Sequence, residues 1–299
     1  MESTLTLRAS QLCVRGGVAE FTHQRPESRN PLSMELRHDY QEMLDAVEQD
    51  RGIKVLLITG SGGSFCAGGN IKEMQARLQA GDASARAPDA TRARLAEANA
   101  WLRRLRELDA VVVAAVDGAA FGGGFSLALH ADFILASARA SFCMSFARLG
   151  LTPDFGSIHL LPRLVGIAAA RDLMLTGRSL DAQEALRMGL VREVLDPQAL
   201  LPRARAMAAA LGKASGTAMG MTKQLLNQSL ESDYASLGSA EAYAQAVAMS
   251  TDYHQQAVAA FLAKQPALYD WERDGSGQPA PWSGRRHRER INRTQRGRQ

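Results

Sequence analysis

Two glycine-rich stretches, each placed after an apolar run and before a predicted helix, carry the first chemical signal of this 299-residue chain. The first is FCAGGNIKEM (65–74), which follows IKVLLIT (53–59), and the second is AAFGGGFS (119–126), which follows VVVAAV (111–116). Glycines let a ligand atom approach the main chain closely, and a helix start leaves N–H groups without partners. Two such loops that converge would provide two donors for one oxygen that gains negative charge during a reaction.

Neither stretch matches the glycine patterns that bind nucleotides. In TGSGGSFCAGG (59–69), Phe65 stands where the dinucleotide fingerprint needs its third glycine, and no acidic residue ends a second strand about 20 positions later. No glycine run is closed by the Gly-Lys-Ser/Thr of a Walker loop. The glycines therefore favour a ligand oxygen held by the main chain over a Rossmann or Walker site.

A carboxylate stands in a third loop, FARLGLTPDFGS (146–157), where Asp154 lies in a Pro-Asp turn between Gly150 and Gly156. A carboxylate beside a substrate can take a proton from one atom and return it to another. An aspartate three residues before Ser157 can also simply cap the helix that follows. These residues alone leave both the catalytic and the capping role open.

Three repeats of strand, loop and helix position these groups and predict an α/β fold. IKVLLIT is too apolar for a surface strand, so we expect it to be buried on both faces. The same order returns with VVVAAV and the helix FSLALH (125–130), and again with a strand from Phe133 to Ala136 and a helix from Ser157. Between the first two repeats we expect a polar linker over 80–92 and a helix around Leu95 to Leu108.

The segment before the first repeat predicts one more strand and one more helix. Gly17 to Thr22 alternates apolar and polar residues like a strand with one buried face. Ser33 is the expected cap of a helix with an apolar face. That face consists of Met34, Leu36, Met43, Leu44 and Val47.

The chain divides into a core over 1–196, a helical region over 197–264 and a basic tail over 265–299. The helical region is rich in Ala, Leu, Met and Gln, and its apolar faces exceed what an appendage needs, which predicts subunit contact. The tail has almost no apolar residues to bury near its end, so we expect disorder there. Residues 285–299 hold seven Arg and one Glu, and the rest of the chain has 28 basic and 30 acidic residues, a net of −2. Bulk charge therefore does not predict a polyanion binder.

The cysteines and the hydropathy pattern predict a cytoplasmic protein that does not span a membrane. Cys13, Cys66 and Cys143 are far apart, fit no metal-ligand spacing and indicate reduced, mostly buried thiols, so no metal site is predicted. No apolar run approaches the roughly 20 residues that cross a bilayer.

Four long motifs, in order, resemble the crotonase (enoyl-CoA hydratase/isomerase) superfamily. They are RPESRNPLS (25–33), FCAGGNIKEM, AAVDGAAFGGGFSLALHADFILAS (114–137) and LPRLVGIAAARDLMLTGRSLDAQEALRMGLVREVL (161–195). The resemblance covers about residues 4–264. It implies a crotonase-type spiral of ββα repeats with a helical C-terminal trimerisation region, and a homotrimer or a dimer of trimers.

The resemblance also implies an acyl-CoA thioester whose carbonyl oxygen lies between the N–H groups of Gly69 and Gly123. No cofactor is implied beyond the coenzyme A moiety of the substrate. Arg29 and Lys72 are expected to meet coenzyme A phosphates. The substrate-binding residues expected from the motifs are Arg29, Ala67, Lys72, Gly122, Ser126 and Phe146.

Hydratases of the superfamily hold water with two glutamates, which align with Ser126 and Phe146 here, so both are missing. Ser126 is a poor base and Phe146 cannot titrate, which disfavours the usual hydratase mechanism. Asp154 instead occupies the acid position of a subset that includes the epoxyphenylacetyl-CoA isomerase-like group, to which the LGLTPDFG and LPRLVG segments are most similar. The resemblance thus implies that Asp154 moves a proton between the α and γ carbons of an enoyl thioester.

Phe125, Phe142 and Phe146 could line an apolar pocket that raises the pKa of this acid, although Phe125 and Phe142 could equally be ordinary core. His130 and His159 lie on apolar helical segments, where packing and hydrogen bonding are the expected roles.

Three alternatives to isomerisation stay open. Asp154 alone could support hydration, or it could be the nucleophile of a dehalogenase or hydrolase acting on an acyl-CoA, although no histidine in the oxyanion-loop segments offers the base that this chemistry wants. A non-catalytic member that binds RNA through the Arg-rich tail is the third alternative, and the intact glycines argue against it.

Overall fold

The computed structural model describes residues 2–79 and 87–275. In these ranges ten strands form two sheets. The strands are β1 Ser3–Thr6, β2 Ser10–Arg15, β3 Val18–His23, β4 Val55–Gly60, β5 Val111–Val116, β6 Ala119–Phe121, β7 Phe133–Ser137, β8 Ser141–Cys143, β9 Ser179–Asp181 and β10 Glu193–Leu195.

Helices surround both sheets, and two short 3-10 segments, Pro26–Ser28 and Ser145–Leu149, interrupt the loops. The helices of the described ranges are α1 Met34–Gln49, α2 Ile71–Gln79, α3 Pro88–Glu107, α4 Gly123–Ala128, α5 Ser157–Val165, α6 Ile167–Thr176, α7 Ala182–Arg187, α8 Pro197–Leu211, α9 Gly216–Gln228, α10 Tyr234–Met249, α11 Asp252–Leu262 and α12 Trp271–Asp274.

The large sheet has the strand order β1-β2-β3-β4-β5-β7-β10, and the small sheet has the order β6-β8-β9. In the large sheet β3, β4, β5, β7 and β10 run parallel, whereas β1 and β2 add an antiparallel edge. The carboxyl ends of parallel strands meet at one edge of a sheet. The loops that follow β4 and β5 therefore leave the same edge, as the repeated motif predicts.

The central strands β4 and β5 are buried on both faces, which confirms the prediction made for the run IKVLLIT. Leu56 and Ile58 of β4 point into the core formed with α1 and α3, and Val55 and Leu57 point into the core formed with α8. Each buried Leu or Ile side chain contributes roughly 1.5–3 kcal/mol by leaving water. This two-sided core fixes the strands from which the glycine loops emerge.

Helix α1 begins after Ser33, whose hydroxyl accepts a hydrogen bond from the Leu36 N–H at 3.2 Å, so the predicted cap is confirmed. Sequence periodicity missed two polar residues on the buried face, Asp39 and Tyr40. The Asp39 carboxylate accepts bonds from the Ala9 N–H at 2.7 Å and from the Ser10 hydroxyl at 2.8 Å. These bonds compensate its burial and tie α1 to the turn before β2.

Two local predictions are wrong. Residues 88–92 are not linker, because α3 begins at Pro88, a residue that suits the first helical position since it needs no N–H partner; residues 80–86 lie outside the described ranges. The segment 119–121, predicted as loop, forms β6 because it pairs with β8. Helix α4 then begins at Gly123 rather than Phe125 and ends before His130.

From residue 197 onward the described chain is helical and contains no strand, in agreement with its composition. Residues 265–275, assigned above to the tail, include α12, which packs against α8. There Arg203 donates to the Gly275 carbonyl at 2.9 Å, and Lys213 lies 2.8 Å from the Asp274 carboxylate. Residues 276–299, with the Arg-rich segment, lie outside the described ranges. Within those ranges no helix is both long and apolar enough to cross a membrane.

Candidate active site

The two glycine loops contact each other through their main chains. The Cys66 N–H donates to the Ala119 carbonyl at 2.9 Å, and the Phe121 N–H donates to the Cys66 carbonyl at 3.0 Å. A Cβ on Gly124 would lie 2.1 Å from the Cys66 carbonyl oxygen, so the approach requires glycine there. Cys66 itself is fully buried, and burial raises its pKa to about 12, which fits the predicted role as a packed residue.

This contact brings the two candidate oxyanion donors to neighbouring positions. Gly68 has a φ of +89°, and a Cβ built on it would lie 3.5 Å from the amide nitrogen of Gly123. Gly123 is the first residue of α4, where N–H groups lack helical partners. Within residues 2–79 and 87–275, neither the Gly69 nor the Gly123 N–H donates a hydrogen bond. Two N–H groups that have no partner among the described residues thus lie on adjoining loops.

Ser126 and Phe146, which the resemblance aligns with the two hydratase glutamates, lie beside the second glycine loop and place no titratable group there. The Ser126 hydroxyl is fully buried and donates to the Gly122 carbonyl at 3.3 Å. A Cβ on Gly122 would lie 3.9 Å from the ring of Phe146, whose side chain is buried. Phe125 and Phe142 pack together at 5.2 Å between ring centroids and belong to the hydrophobic core.

Two of the residues expected to bind coenzyme A, Arg29 and Ala67, are joined through their main chains. The Ala67 N–H donates to the carbonyl of Arg29, which has a left-handed φ of 61° and an exposed side chain. Lys72 is exposed on the first turn of α2, where the Asn70 side chain accepts from the N–H groups of Lys72 and Glu73. Backbone contact thus joins Arg29 to Ala67, and Lys72 lies five residues after Ala67 in the sequence, at a capped helix start.

Asp154 is a half-buried acid in the third loop. Its Oδ1 atom is buried and has no hydrogen-bond partner within the described residues. Burial raises the pKa of Asp154 to about 6. The Arg37 cation and the backbone N–H of Asp154 oppose that rise. A carboxyl group with a pKa near neutrality can act as base and then as acid.

The capping role proposed as an alternative for Asp154 is wrong. Helix α5 begins after Gly156, and no side chain caps it. Asp154 contributes only its main-chain carbonyl, which accepts from the Ser157 N–H at 3.2 Å and the Ser157 hydroxyl at 2.8 Å. The carboxylate is therefore left for another purpose.

Phe155 joins the Asp154 loop to the second glycine loop. Its φ of 52° is unfavourable for an aromatic residue and costs on the order of 1–3 kcal/mol. Its buried ring compensates this strain, because it lies against Gly123, where a Cβ would come within 3.1 Å of two ring carbons. The guanidinium carbon of Arg37 lies 5.3 Å from the centroid of the same ring.

Two buried histidines bind main-chain carbonyls of the site loops. His23 Nδ1 lies 2.8 Å from the Phe65 carbonyl, and His130 Nε2 lies 3.0 Å from the Phe155 carbonyl. Burial lowers the pKa of His23 to about 4 and that of His130 to about 3. The hydrogen-bonded packing predicted for His130 is confirmed, whereas sequence reasoning missed His23 and Arg37, which carry no local signal.

Comparison with known proteins agrees with this geometry. The family described as "Enoyl-CoA hydratase/isomerase" matches residues 14–273. The chain therefore belongs to the enoyl-CoA hydratase/isomerase family, that is, to the crotonase superfamily.

Individual relatives carry different activities in their names. The chain is 36% identical over 262 residues to the 1,2-epoxyphenylacetyl-CoA isomerase of Escherichia coli (strain K12), covering 84% of this chain and 94% of the relative. It is 34% identical over 246 residues to a crotonyl-CoA hydratase of Syntrophomonas wolfei, covering 82% and 91%. The crystal structure of an enoyl-CoA hydratase/isomerase from Cupriavidus metallidurans CH34 superposes with a TM-score of 0.83 at 41% identity, covering 89% of this chain and 97% of that one.

Proposed function

We propose that this protein shifts the double bond of an enoyl-CoA thioester through an enolate. The observation that carries the proposal is the half-buried side chain of Asp154, whose buried Oδ1 has no partner among the described residues and whose loop packs on Gly123 through Phe155. Ser126 and Phe146 stand where two glutamates would activate water, so one acid remains for the chemistry. A double-bond shift needs only one.

The proposed reaction returns the proton that it removes. The Asp154 carboxylate takes a proton from the α carbon of a β,γ-unsaturated thioester, so that a C–H bond breaks and an O–H bond forms. The electron pair conjugates with the double bond and places negative charge on the thioester oxygen. Asp154 then returns the proton to the γ carbon, which leaves the double bond between the α and β carbons. No water and no redox partner take part.

The N–H groups of Gly69 and Gly123 would hold the thioester oxygen while this charge is present. A donor of this kind lowers a barrier by about 3 kcal/mol, which is roughly a hundredfold in rate. The two donors therefore form the largest catalytic contribution in the proposal. Arg29, Ala67 and Lys72 would bind the coenzyme A portion, and no cofactor beyond the substrate's own coenzyme A is needed.

Mutation of Asp154 tests the assignment. We expect Asp154→Asn to lower the rate of isomerisation and of deuterium uptake at the α carbon by on the order of 10³-fold, with coenzyme A affinity unchanged. A panel of acyl-CoA thioesters in D2O, followed by mass spectrometry, would also define the acyl group. Asp89→Asn is the matched control because that side chain is 91% exposed at the start of α3. An unchanged rate in Asp154→Asn would refute the proposal.

Hydration by Asp154 alone is the second candidate, and the name of the Syntrophomonas wolfei relative favours it. Adding water to crotonyl-CoA would yield a 3-hydroxyacyl-CoA, whereas isomerisation leaves the mass of the substrate unchanged. Product masses from crotonyl-CoA and from longer enoyl-CoA substrates separate the two reactions.

We also propose that the chain assembles as a homotrimer or a dimer of trimers. Helix α10 buries none of its residues in the single chain, and Tyr234 and Phe261 are 95% and 81% exposed. An apolar groove of about 750 Å³ lies between α9 and α10 and includes Met221 and Leu237. Apolar faces of this extent need a covering surface. Light scattering after size-exclusion chromatography gives the mass, and a monomer at micromolar concentration would refute the assembly.

A further inference from the structure

His130 meets the Asp154 loop at its most strained residue. The imidazole is buried, with Nε2 3.0 Å from the carbonyl oxygen of Phe155, the residue after Asp154. Phe155 has a left-handed φ of 52°, and Gly156 follows with a φ of 76°. Because two consecutive residues lie in the left-handed region, the direction of the loop depends on what holds the peptide between them.

The hydrogen bond determines the tautomer of His130. A carbonyl oxygen only accepts, so Nε2 must carry the hydrogen and donate it. The other ring nitrogen, Nδ1, is buried and has no partner within the described residues. A second proton would place a positive charge in this buried space near the cations of Arg106 and Lys223, which lower the pKa of His130. The ring is therefore neutral and protonated on Nε2 alone.

The space for this ring exists because residue 156 is glycine. A Cβ on Gly156 would lie 3.1 Å from Cε1 and 3.4 Å from Nε2 of His130. On the other side, the Phe155 ring lies against Gly123, and the Arg37 guanidinium lies above it. His130 thus holds the main chain of Phe155 while Gly123 and Arg37 border its side chain.

We propose that His130 is a positioning residue for the proton transfer: its Nε2–H fixes the Phe155 carbonyl and so aims the preceding Asp154 carboxylate at the space beside the Gly123 N–H. The residue does not contact substrate, and its neutral, engaged ring does not serve as a base. This inference depends on the proposed role of Asp154.

Two substitutions show whether position 130 needs a hydrogen-bond donor to the Phe155 carbonyl or only a side chain of similar volume. His130→Leu fills the space without a donor, and we expect it to lower kcat for α-carbon exchange by on the order of 10²-fold, with KM unchanged, because a displacement of about 1 Å has that effect. His130→Gln carries an N–H at a similar distance from the main chain and should restore most of the kcat that His130→Leu loses. His159→Leu is the matched control, because His159 lies on α5 and contacts Arg106 and Glu231 instead of the Phe155 carbonyl.

The outcomes distinguish this inference from the proposed function. If Asp154→Asn retains deuterium exchange at the α carbon, the proposed function is refuted, and the role of His130 is refuted with it. If Asp154→Asn abolishes exchange while folded His130→Leu keeps the wild-type kcat, only the positioning role is refuted. A fall in kcat in His130→Leu that Gln does not rescue also refutes it.

A measurement on the wild-type protein keeps the test independent of variant folding. Nitrogen NMR of ¹⁵N-histidine-labelled protein at pH 7 should give His130 as the neutral Nε2–H tautomer, assigned by the signal missing from His130→Gln. A ring with its hydrogen on Nδ1 would overturn the proposal because Nε2 could not donate to the Phe155 carbonyl, and a protonated ring would overturn it because the ring would then not be neutral.

Discussion

The ring of Phe155 lies against the α carbon of Gly123, so that a Cβ at position 123 would come within 3.1 Å of two ring carbons. The Gly123 N–H has no hydrogen-bond partner among the described residues, and Phe155 is bonded directly to Asp154. The donor loop and the acid loop are therefore packed as one unit. Their relative position depends on the missing side chain at residue 123.

We expect Gly123→Ala to lower kcat on the order of 10²-fold although the N–H remains, because the new methyl group displaces Phe155 and with it Asp154. The Leu32 side chain, 3.4 Å from the same Cβ position, keeps the new methyl group from shifting away from Phe155. Gly216→Ala is the control, since a Cβ there would meet only the Lys54 side chain, at 3.5 Å and 3.8 Å. Steady-state kinetics with both variants checks the prediction, and full activity in Gly123→Ala would contradict it.

The rate should depend on pH through Asp154. Its pKa of about 6 means that the base form is lost below that value, so kcat/KM should fall about tenfold per pH unit below 6 and level off above it. Removing the Arg37 cation, which holds this pKa down, should move the midpoint upward in Arg37→Gln. A profile that is flat between pH 5 and pH 7, or a midpoint that moves downward in the variant, would exclude Asp154 as the titrating base.

The same pKa shift predicts how stability changes with pH. Burial raises the Asp154 pKa from 3.8 to about 6, so between these values the folded chain holds a proton that the unfolded chain has released. Raising the pH through this window therefore lowers the free energy of unfolding, and the loss is complete above the folded pKa. Two pKa units correspond to about 3 kcal/mol, which partial solvent exposure reduces to about 1–2 kcal/mol.

The free energy of unfolding of Asp154→Asn, relative to that of the wild type, should accordingly rise by about 1–2 kcal/mol from pH 4 to pH 8, because the asparagine cannot ionise. Urea unfolding of both proteins at the two pH values measures the change. The substitution can also change the stability of the turn by an amount that does not depend on pH. This amount cancels when the stability difference at pH 4 is subtracted from the difference at pH 8. An equal stability difference at both pH values would mean that the Asp154 carboxyl does not titrate as described.

The glycine loops and their strands could be predicted because the signals are local. Val111 to Val116 reads as a buried run, and it forms β5 with the predicted bounds. The strand β6 could not be predicted, since Ala119–Phe121 becomes a strand only by pairing with Ser141–Cys143 about 20 residues later. A segment of three residues is too short for its length and composition to indicate which distant strand it pairs with.

The supports of the site were harder to predict than its reactive groups. Asp154 stood out through its Pro-Asp turn, whereas Arg37 reaches Phe155 from a helix more than 100 residues earlier in the chain. His23 follows the predicted strand Gly17 to Thr22 and carries no local signal, yet it is buried and bonded to Phe65. Such contacts arise from tertiary packing, which overrides local pattern.

Tyr40 supports the first glycine loop through His23. The Phe65 carbonyl accepts from His23 Nδ1 at 2.8 Å, so Nε2 has no hydrogen and must accept from the Tyr40 hydroxyl at 2.7 Å. Tyr40→Phe leaves this buried acceptor without a donor, which should cost about 1–3 kcal/mol of unfolding free energy. Tyr243→Phe, at a 78% exposed position, should change little.

Urea unfolding at pH 6 and pH 9 checks this prediction and its electrostatic basis together. Burial lowers the His23 pKa to about 4 and raises the Tyr40 pKa well above its ordinary value, so neither group ionises in this range. The loss in Tyr40→Phe should therefore be the same at both pH values. A loss that appears at only one of them would mean that the pair exchanges a proton with solvent, and a variant as stable as the wild type would mean that the hydroxyl does not hold His23.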